Sequence, residues 1–365
     1  MSFTKEETKR FSHRQTVRGV LIFTVDVLLF SVFTAGAVWS NLWYVQLVSS
    51  LLMATVIAAL FVVGHDAAHD SLTPHKWLNR VIGTICFLPS MHPYSLWVEL
   101  HNYRHHRWTN LRGKDDVWIP LDPASYEALP SHRKLLYRIY RGAFGSFFYY
   151  LIEFWWHKFS WPTKKHYDPI KREYVLDAIL IWAFAIGYVG GIIALAQLGY
   201  LQGGPRAGWT PVFFGALLPF FLWNAYSAAS TYLQHTHPGN VFYDDIDEWR
   251  SVSKAHTAIH ASFPKPIRRV FHFIMEHSVH HLRPGVPLYN LNEAQKVLED
   301  HDVNVIHYTF TTKAFMNIVR RCKLYNYEEK RWMDFQGRCT SPAPSAAMLG
   351  QAKHETTPEE STAIA

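Results

Sequence analysis

The sequence predicts an all-α integral membrane protein, in which four transmembrane helices form two hairpins under a cytosolic helical cap that holds a histidine-rich site. Three observations lead there. Four apolar stretches, at residues 19–39, 42–63, 175–197 and 209–233, are each long enough to cross a hydrocarbon core of about 30 Å. The basic residues fall almost entirely on one side of those stretches. The chain also carries 22 histidines, many of them in tight clusters on that same side.

Composition agrees with a few spans joined to a substantial polar portion. Of the 365 residues 49% are apolar, 16% aromatic and 18% charged, and the mean hydropathy is −0.07. Trp and Tyr collect at membrane interfaces, which accounts for the aromatic content. The excess of 36 Lys and Arg over 29 Asp and Glu gives a net charge of +7. No basic arm, finger or helix-turn-helix pattern accompanies that charge, so a nucleic-acid partner is not expected. Cys86, Cys322 and Cys339 form no CxxC and no disulfide framework, which makes a reducing compartment the default.

Residues 1–18 are polar and basic and read as a cytosolic N-terminal segment without the pattern of a removed signal peptide. Asp26 interrupts the first apolar stretch and Asp177 lies near the start of the third. The run Ala143–Trp156 is too short to span comfortably and predicts an interfacial helix. Between the first two stretches there is no Lys or Arg, and between the third and fourth only Arg206; the other 35 of the 36 basic residues lie in the N-terminus, in 64–173 or after 233. The positive-inside rule therefore puts both termini and the 64–173 segment in the cytoplasm. Residues 19–340 form the membrane domain, and the polar segment 341–365 reads as a disordered tail.

Three histidine clusters stand out. His65-Asp-Ala-Ala-His69 follows the second span directly, and a helix continued past the membrane would point both rings to one face. His101-Asn-Tyr-Arg-His105-His106 offers rings at i, i+4 and i+5, and His277-Ser-Val-His280-His281 at i, i+3 and i+4. A lone HxxxH is more often a pair of solvated or capping residues than a metal site. Three clusters on one membrane face, two of them with adjacent histidines, point instead to metal. Imidazole suits Fe, Zn, Cu or Ni, and eight rings exceed what one ion can use, so two ions sharing them is the economical solution. Asp66, Asp70, Glu99, Asp115, Asp116 and Glu276 lie close enough to orient the rings, although each could equally be a solvated charge.

The pattern HxxxH, HxxxHH, HxxHH resembles the membrane fatty acid desaturases, which share it with related membrane hydroxylases and ketolases. The resemblance runs from about residue 60 to 300. Pro93-Tyr94-Ser95-Leu96-Trp97, Trp108-Thr109-Asn110, Asp115–Pro120, Thr231–Pro238 and Leu282-Arg283-Pro284 with Val286–Tyr289 look like the acyl-lipid branch, of the bacterial and plastid omega-6 type. That type often has HxxHH in the second cluster, where this chain has HxxxHH. The resemblance implies a diiron centre held by His65, His69, His101, His105, His106, His277, His280 and His281. It also implies a further ligand at the end of the fourth span, for which His235 is the choice and His237 the alternative. His237-Pro-Gly-Asn240 superficially resembles a cytochrome b5 haem motif, but it follows a membrane span directly and lacks that module's fold. His75, His92, His256, His260 and His272 have no convincing ligand spacing, His272 being the nearest to an exception.

Breaking an unactivated C–H bond is beyond side-chain acids and bases and requires a cofactor. The expected activity is O2-dependent desaturation of a fatty acyl chain of a lipid. The alternatives are a related hydroxylase or ketolase acting on carotenoid, sterol, sphingolipid or alkane, and a non-enzymatic metal carrier. No G-x-S-x-G elbow, Walker motif or GxGxxG turn appears. Electrons must therefore come from an external donor such as a ferredoxin, cytochrome b5 or rubredoxin-like carrier. The expected location is a bacterial inner membrane, with the site facing the cytoplasm.

Overall fold

A computed structural model of the protein describes residues 3–200 and 209–350. Arg206 and residues 351–365, the greater part of the expected tail, lie outside the described residues. Helix α1 (Lys5–Phe11) opens the chain on a capping box, with the Thr4 hydroxyl accepting from Glu7 N and the Glu7 carboxylate accepting from Thr4 N. The four apolar stretches become α2 (Thr16–Trp39), α3 (Trp43–Ala68), α7 (Arg172–Leu198) and α8 (Thr210–His235), each of them apolar enough to cross a membrane. Between α3 and α7 lie α4 (Lys76–Phe87), α5 (residues 94–108) and α6 (residues 146–159). The last two contain π-helical stretches at Glu99–His105 and Tyr150–Phe159. After α8 come α9 (His277–Leu282), α10 (Leu288–His301) and α11 (Thr312–Arg321).

The spans divide by burial. Along α3, Met53, Ala54, Ile57, Ala58 and Val63 are all buried in the protein, whereas α2 exposes Leu21, Leu28 and Val32, and α7 exposes Leu176, Ile179 and Ile186. Exposed apolar rows of this length suit lipid rather than water. The charges that interrupt the spans are paired, as an ionisable group within a span requires. Asp26 Oδ2 stands 2.7 Å from His272 Nε2. Asp177 accepts from Arg80 and from Ser95 N, each at 2.9 Å, tying α7 to α4 and α5.

The chain departs from an all-α expectation in two small sheets. Strands β1 (Ile259–Ser262) and β2 (Ile306–Thr309) pair in parallel, and β3 (Leu324–Asn326) pairs antiparallel with β4 (Arg331–Met333). Strands of three or four residues give too short an alternation to read from sequence. The N-terminal segment is not a free polar arm: Phe11 is buried, and its carbonyl accepts from Asn290 Nδ2 on α10. Residues 341–350 are likewise packed. Ser341 Oγ accepts from Trp332 N, and Met348 is buried beside Leu111 and Tyr243, an apolar anchor within an otherwise polar segment.

Candidate metal centre

Helical geometry explains why two of the three histidine clusters contain an adjacent pair. Neighbouring side chains on a helix diverge by roughly 100°, so two adjacent rings cannot reach one point. Here they reach two. His65 and His69 from the end of α3, His101 and His106 from α5 and His280 from α9 form one group. His105 from α5, His235 from the end of α8, and His277 and His281 from α9 form the other. The pairs His105–His106 and His280–His281 are each split between the groups. The π-helical winding of Glu99–His105 has a longer turn than an α-helix, which brings residues five apart onto one face. His101 Nε2 and His106 Nε2 are accordingly 3.0 Å apart.

Within each group the Nε2 atoms converge. His106 and His280 are 3.0 Å apart, and in the second group His105–His235, His235–His277 and His277–His281 are 3.2, 3.1 and 3.0 Å apart. Two nitrogens at about 2.1 Å from a common ion stand about 3.0 Å apart at a right angle and about 3.4 Å at the tetrahedral angle, so these spacings match shared ligation. The protons are placed for it as well. Asp115 Oδ1 lies 2.9 Å from His105 Nδ1, and an acceptor-only carboxylate there fixes the proton on Nδ1 and leaves a lone pair on Nε2. In the first group His65 Nε2 and His69 Nε2 are buried with no hydrogen-bond partner. Burial, with smaller contributions from neighbouring rings, holds His101, His106, His277, His280 and His281 well below the ordinary imidazole range. Neutral rings with convergent lone pairs are what a cation requires and what bare side chains would avoid. The donor set fits two transition-metal ions.

Of the carboxylates near the clusters, two touch a ring. Asp115 also accepts from Asn110 N at 2.9 Å and from Val117 N at 3.0 Å. Asp66 Oδ1 is 3.3 Å from His65 Nδ1, and its other oxygen accepts from Leu288 N, joining the end of α3 to the start of α10. The others pair elsewhere: Asp70 with Lys76, Glu99 with Lys171, Asp116 with Lys158, and Glu276 with Arg268. Thr109, from the Trp108-Thr109-Asn110 segment that looks like the acyl-lipid branch, places its hydroxyl 3.1 Å from His281 Nδ1 while donating to His105 O.

The remaining histidines stay outside both groups. His237 stacks on Tyr308 and its Nδ1 accepts from Gly239 N. His272 holds Asp26, His256 pairs with Asp302 at 2.8 Å, and His92 bridges Ser90 O and Tyr150 Oη. A third set that sequence spacing could not reveal, His260, Glu299 and His307, assembles from β1, α10 and β2. Its two rings are 4.4 Å apart and only 10° from parallel. An imidazole lone pair lies in its ring plane, so no point serves both rings as they stand. Glu299 sets one oxygen against each ring instead, at 2.5 Å and 3.3 Å.

Both groups open onto an apolar cavity of about 1450 Å³, part of it open groove, whose wall includes His65, His101, His105, His235 and His277. The outer end lies between Tyr226, Ile267 and Phe271, where Ile267 is 43% exposed. The inner end is closed by Tyr150, Phe154, Phe159 and Trp223, all buried. A largely apolar space beside two clusters of metal-binding nitrogens suits a hydrocarbon chain as substrate.

Known proteins place this arrangement. Over 297 residues the chain is 30% identical to an sn-1 oleoyl-lipid 12-desaturase of Picosynechococcus sp., covering 78% of each protein. It is 27% identical over 289 residues to a chloroplastic omega-6 fatty acid desaturase of Arabidopsis thaliana, covering 79% of this chain and 61% of the plant protein. An sn-1 acyl-lipid omega-3 desaturase (ferredoxin) of Nostoc sp. is 26% identical over 289 residues, covering 77% of this chain and 75% of that relative. With residues 41–311 matching the family model as well, the chain belongs to the fatty acid desaturase family.

Proposed function

We propose that this protein is an O2-dependent acyl-lipid desaturase, with two iron ions held by nine histidines. His65, His69, His101, His106 and His280 hold one ion, and His105, His235, His277 and His281 the other. The observation that carries this is the opening of both groups onto one closed-ended apolar cavity. When bound, such a centre supplies the oxidising power to remove two vicinal hydrogens from an unactivated chain with O2 as oxidant. The protein's own part is positional. Asp115, Thr109 and Asp66 fix ring orientation, and the aromatic wall excludes water and holds the acyl chain in register past the rings.

The oleoyl-lipid 12-desaturase of Picosynechococcus favours a monounsaturated C18 lipid chain, oleoyl, as substrate, with a second double bond as product. The spans form two hairpins in a bacterial inner membrane, with residues 1–18 and the histidine-bearing cap in the cytoplasm, as the distribution of basic residues favours. The membrane domain runs over 19–340. An external one-electron carrier, in the manner of the ferredoxin named for the Nostoc relative, supplies the reductant. Gas chromatography of fatty acid methyl esters from a host expressing the chain tests the proposal. A new diene is expected; hydroxylated products alone, or unchanged acyl chains, would refute it.

A further inference from the structure

A second apolar hollow, about 630 Å³ including its open side, lies between the spans and is lined by Ile57, Trp155, Ala216 and Phe220 among others. Its wall and that of the first cavity draw on the same elements: adjacent Ile57 and Ala58 of α3, adjacent Trp155 and Phe154 of α6, and Phe220 and Trp223, three residues apart, of α8. Aromatic pairs line both sides of the boundary between the two. Trp223 packs on Phe61 with ring centroids 4.5 Å apart, and Phe220 sits 5.0 Å from Trp155. Trp223, Ile57 and Phe220 belong to one packed cluster, with Trp223 on the wall of the first cavity and Ile57 and Phe220 on the wall of the second.

The polar atom of that indole shows what the residue does there. Trp118 donates its N–H to Thr231 Oγ1 and Trp155 to Met91 O, each partner anchoring its ring. Trp223 is 2% exposed, and its Nε1 has no partner. A buried donor left unpaired is unfavourable and requires a reason. No hydrogen bond within the protein fixes that ring, so its place between the two linings rests on packing. We infer that Trp223 sets the length of acyl chain the enzyme accepts, by separating the substrate cavity from a second space that could house a longer methyl end. This rests on the proposal that an acyl chain occupies the first cavity.

Trp223→Ala joins the two spaces. In a host supplied with C18 and C20 monoenes, the variant is expected to raise the C20-to-C18 ratio of diene products on the order of tenfold, since each newly buried methylene contributes roughly fourfold. Trp223→Leu, which keeps more of the packing, serves if the alanine variant does not accumulate, and is expected to shift the ratio in the same direction. Ala216→Phe fills the second cavity. Alone it leaves the wild-type ratio unchanged, and combined with Trp223→Ala it returns the ratio to the wild-type value. An unchanged ratio in both Trp223 variants with iron content intact, or a shift that Ala216→Phe does not reverse, overturns the inference. A wild-type protein that makes no diene at all would instead defeat the desaturase proposal on which it rests.

Discussion

Replacing Asp115 by Asn changes one atom and removes the charge that orients His105. The Asp115 side chain is fully buried, with its two oxygens shared among His105 Nδ1, Val117 N and Asn110 N. All three are donors. An amide supplies one acceptor and one donor, so in either orientation its NH2 faces an N–H. One buried donor, Asn110 N, is then left unsatisfied if the NH2 takes the place of Oδ2, and two, His105 Nδ1 and Val117 N, if it takes that of Oδ1, at about 1–3 kcal/mol each. If the NH2 turns towards His105, the ring loses the acceptor that holds its proton on Nδ1, and its lone pair no longer points reliably at the second group. Loss of such an orienting partner weakens metal binding about 10–100-fold, or roughly 1.4–2.7 kcal/mol.

The assay is iron per chain in purified protein under limiting iron, with the rate of diene formation in parallel. Iron in D115N is expected to fall from about two towards one, because the one ring Asp115 touches, His105, belongs to the group with His235, His277 and His281 and not to the other five. The neighbouring D116N is the control, since Asp116 pairs with Lys158 and contacts no histidine ring. Full iron and full rate in D115N, or equal damage in D116N, would refute the reasoning.

Alanine at any of the nine grouped histidines should abolish turnover while membrane insertion persists; stoichiometric zinc with full activity in several of these variants would exclude a diiron centre. Reporter fusions at residue 40 and within 201–207 should read as external, and those at 120 and 300 as cytoplasmic, whereas an external reading at 120 or 300 would cut the site off from cytosolic reductant. Reduction by an acidic carrier should slow as salt is raised, and charge reversal at the exposed Lys265 and Arg269 should slow it further without altering iron content. Indifference to both would place the donor elsewhere. Arg268 is unsuitable for that test, because it pairs with the buried Glu276, and breaking such a pair costs about 3–5 kcal/mol.

Much of the architecture was legible because membrane spans and histidine spacing are local signals. The four apolar stretches and the helices differ at their ends by five residues or fewer, and the largest extension, at the end of α3, carries His65 out of the span. What spacing could not convey was the partition of the rings. The i, i+4 and i+5 positions of His101, His105 and His106 leave open which ring serves which ion, since the answer depends on the π-helical winding of α5. Adjacency itself was the available clue: two neighbouring rings on a helix must face different points. Sequence favoured His235 over His237 only by resemblance, and the two differ in position because α8 ends at His235, leaving His237 in a turn against Tyr308. Thr109 and the His260–Glu299–His307 set depend on contacts across 39 to 172 residues, which no local pattern records.

The burial of α3 links the membrane portion to the chemistry. Of the four spans it is the most enclosed by protein, with α2 and α8 packed along it, and its last turn delivers His65 at the level where the cavity ends against aromatic side chains. The second half of α3 is buried in the protein, so His65 and, through Asp66, the start of α10 are fixed relative to Ala58 and Phe61 in the cavity wall. The rings and the substrate channel therefore share one rigid element, and the carbon presented to them is set by how far a chain can enter before it meets Trp223. Bond position and chain length are then two readings of a single distance along the cavity. A shift of the inner wall should alter which lengths are accepted before it alters the chemistry itself.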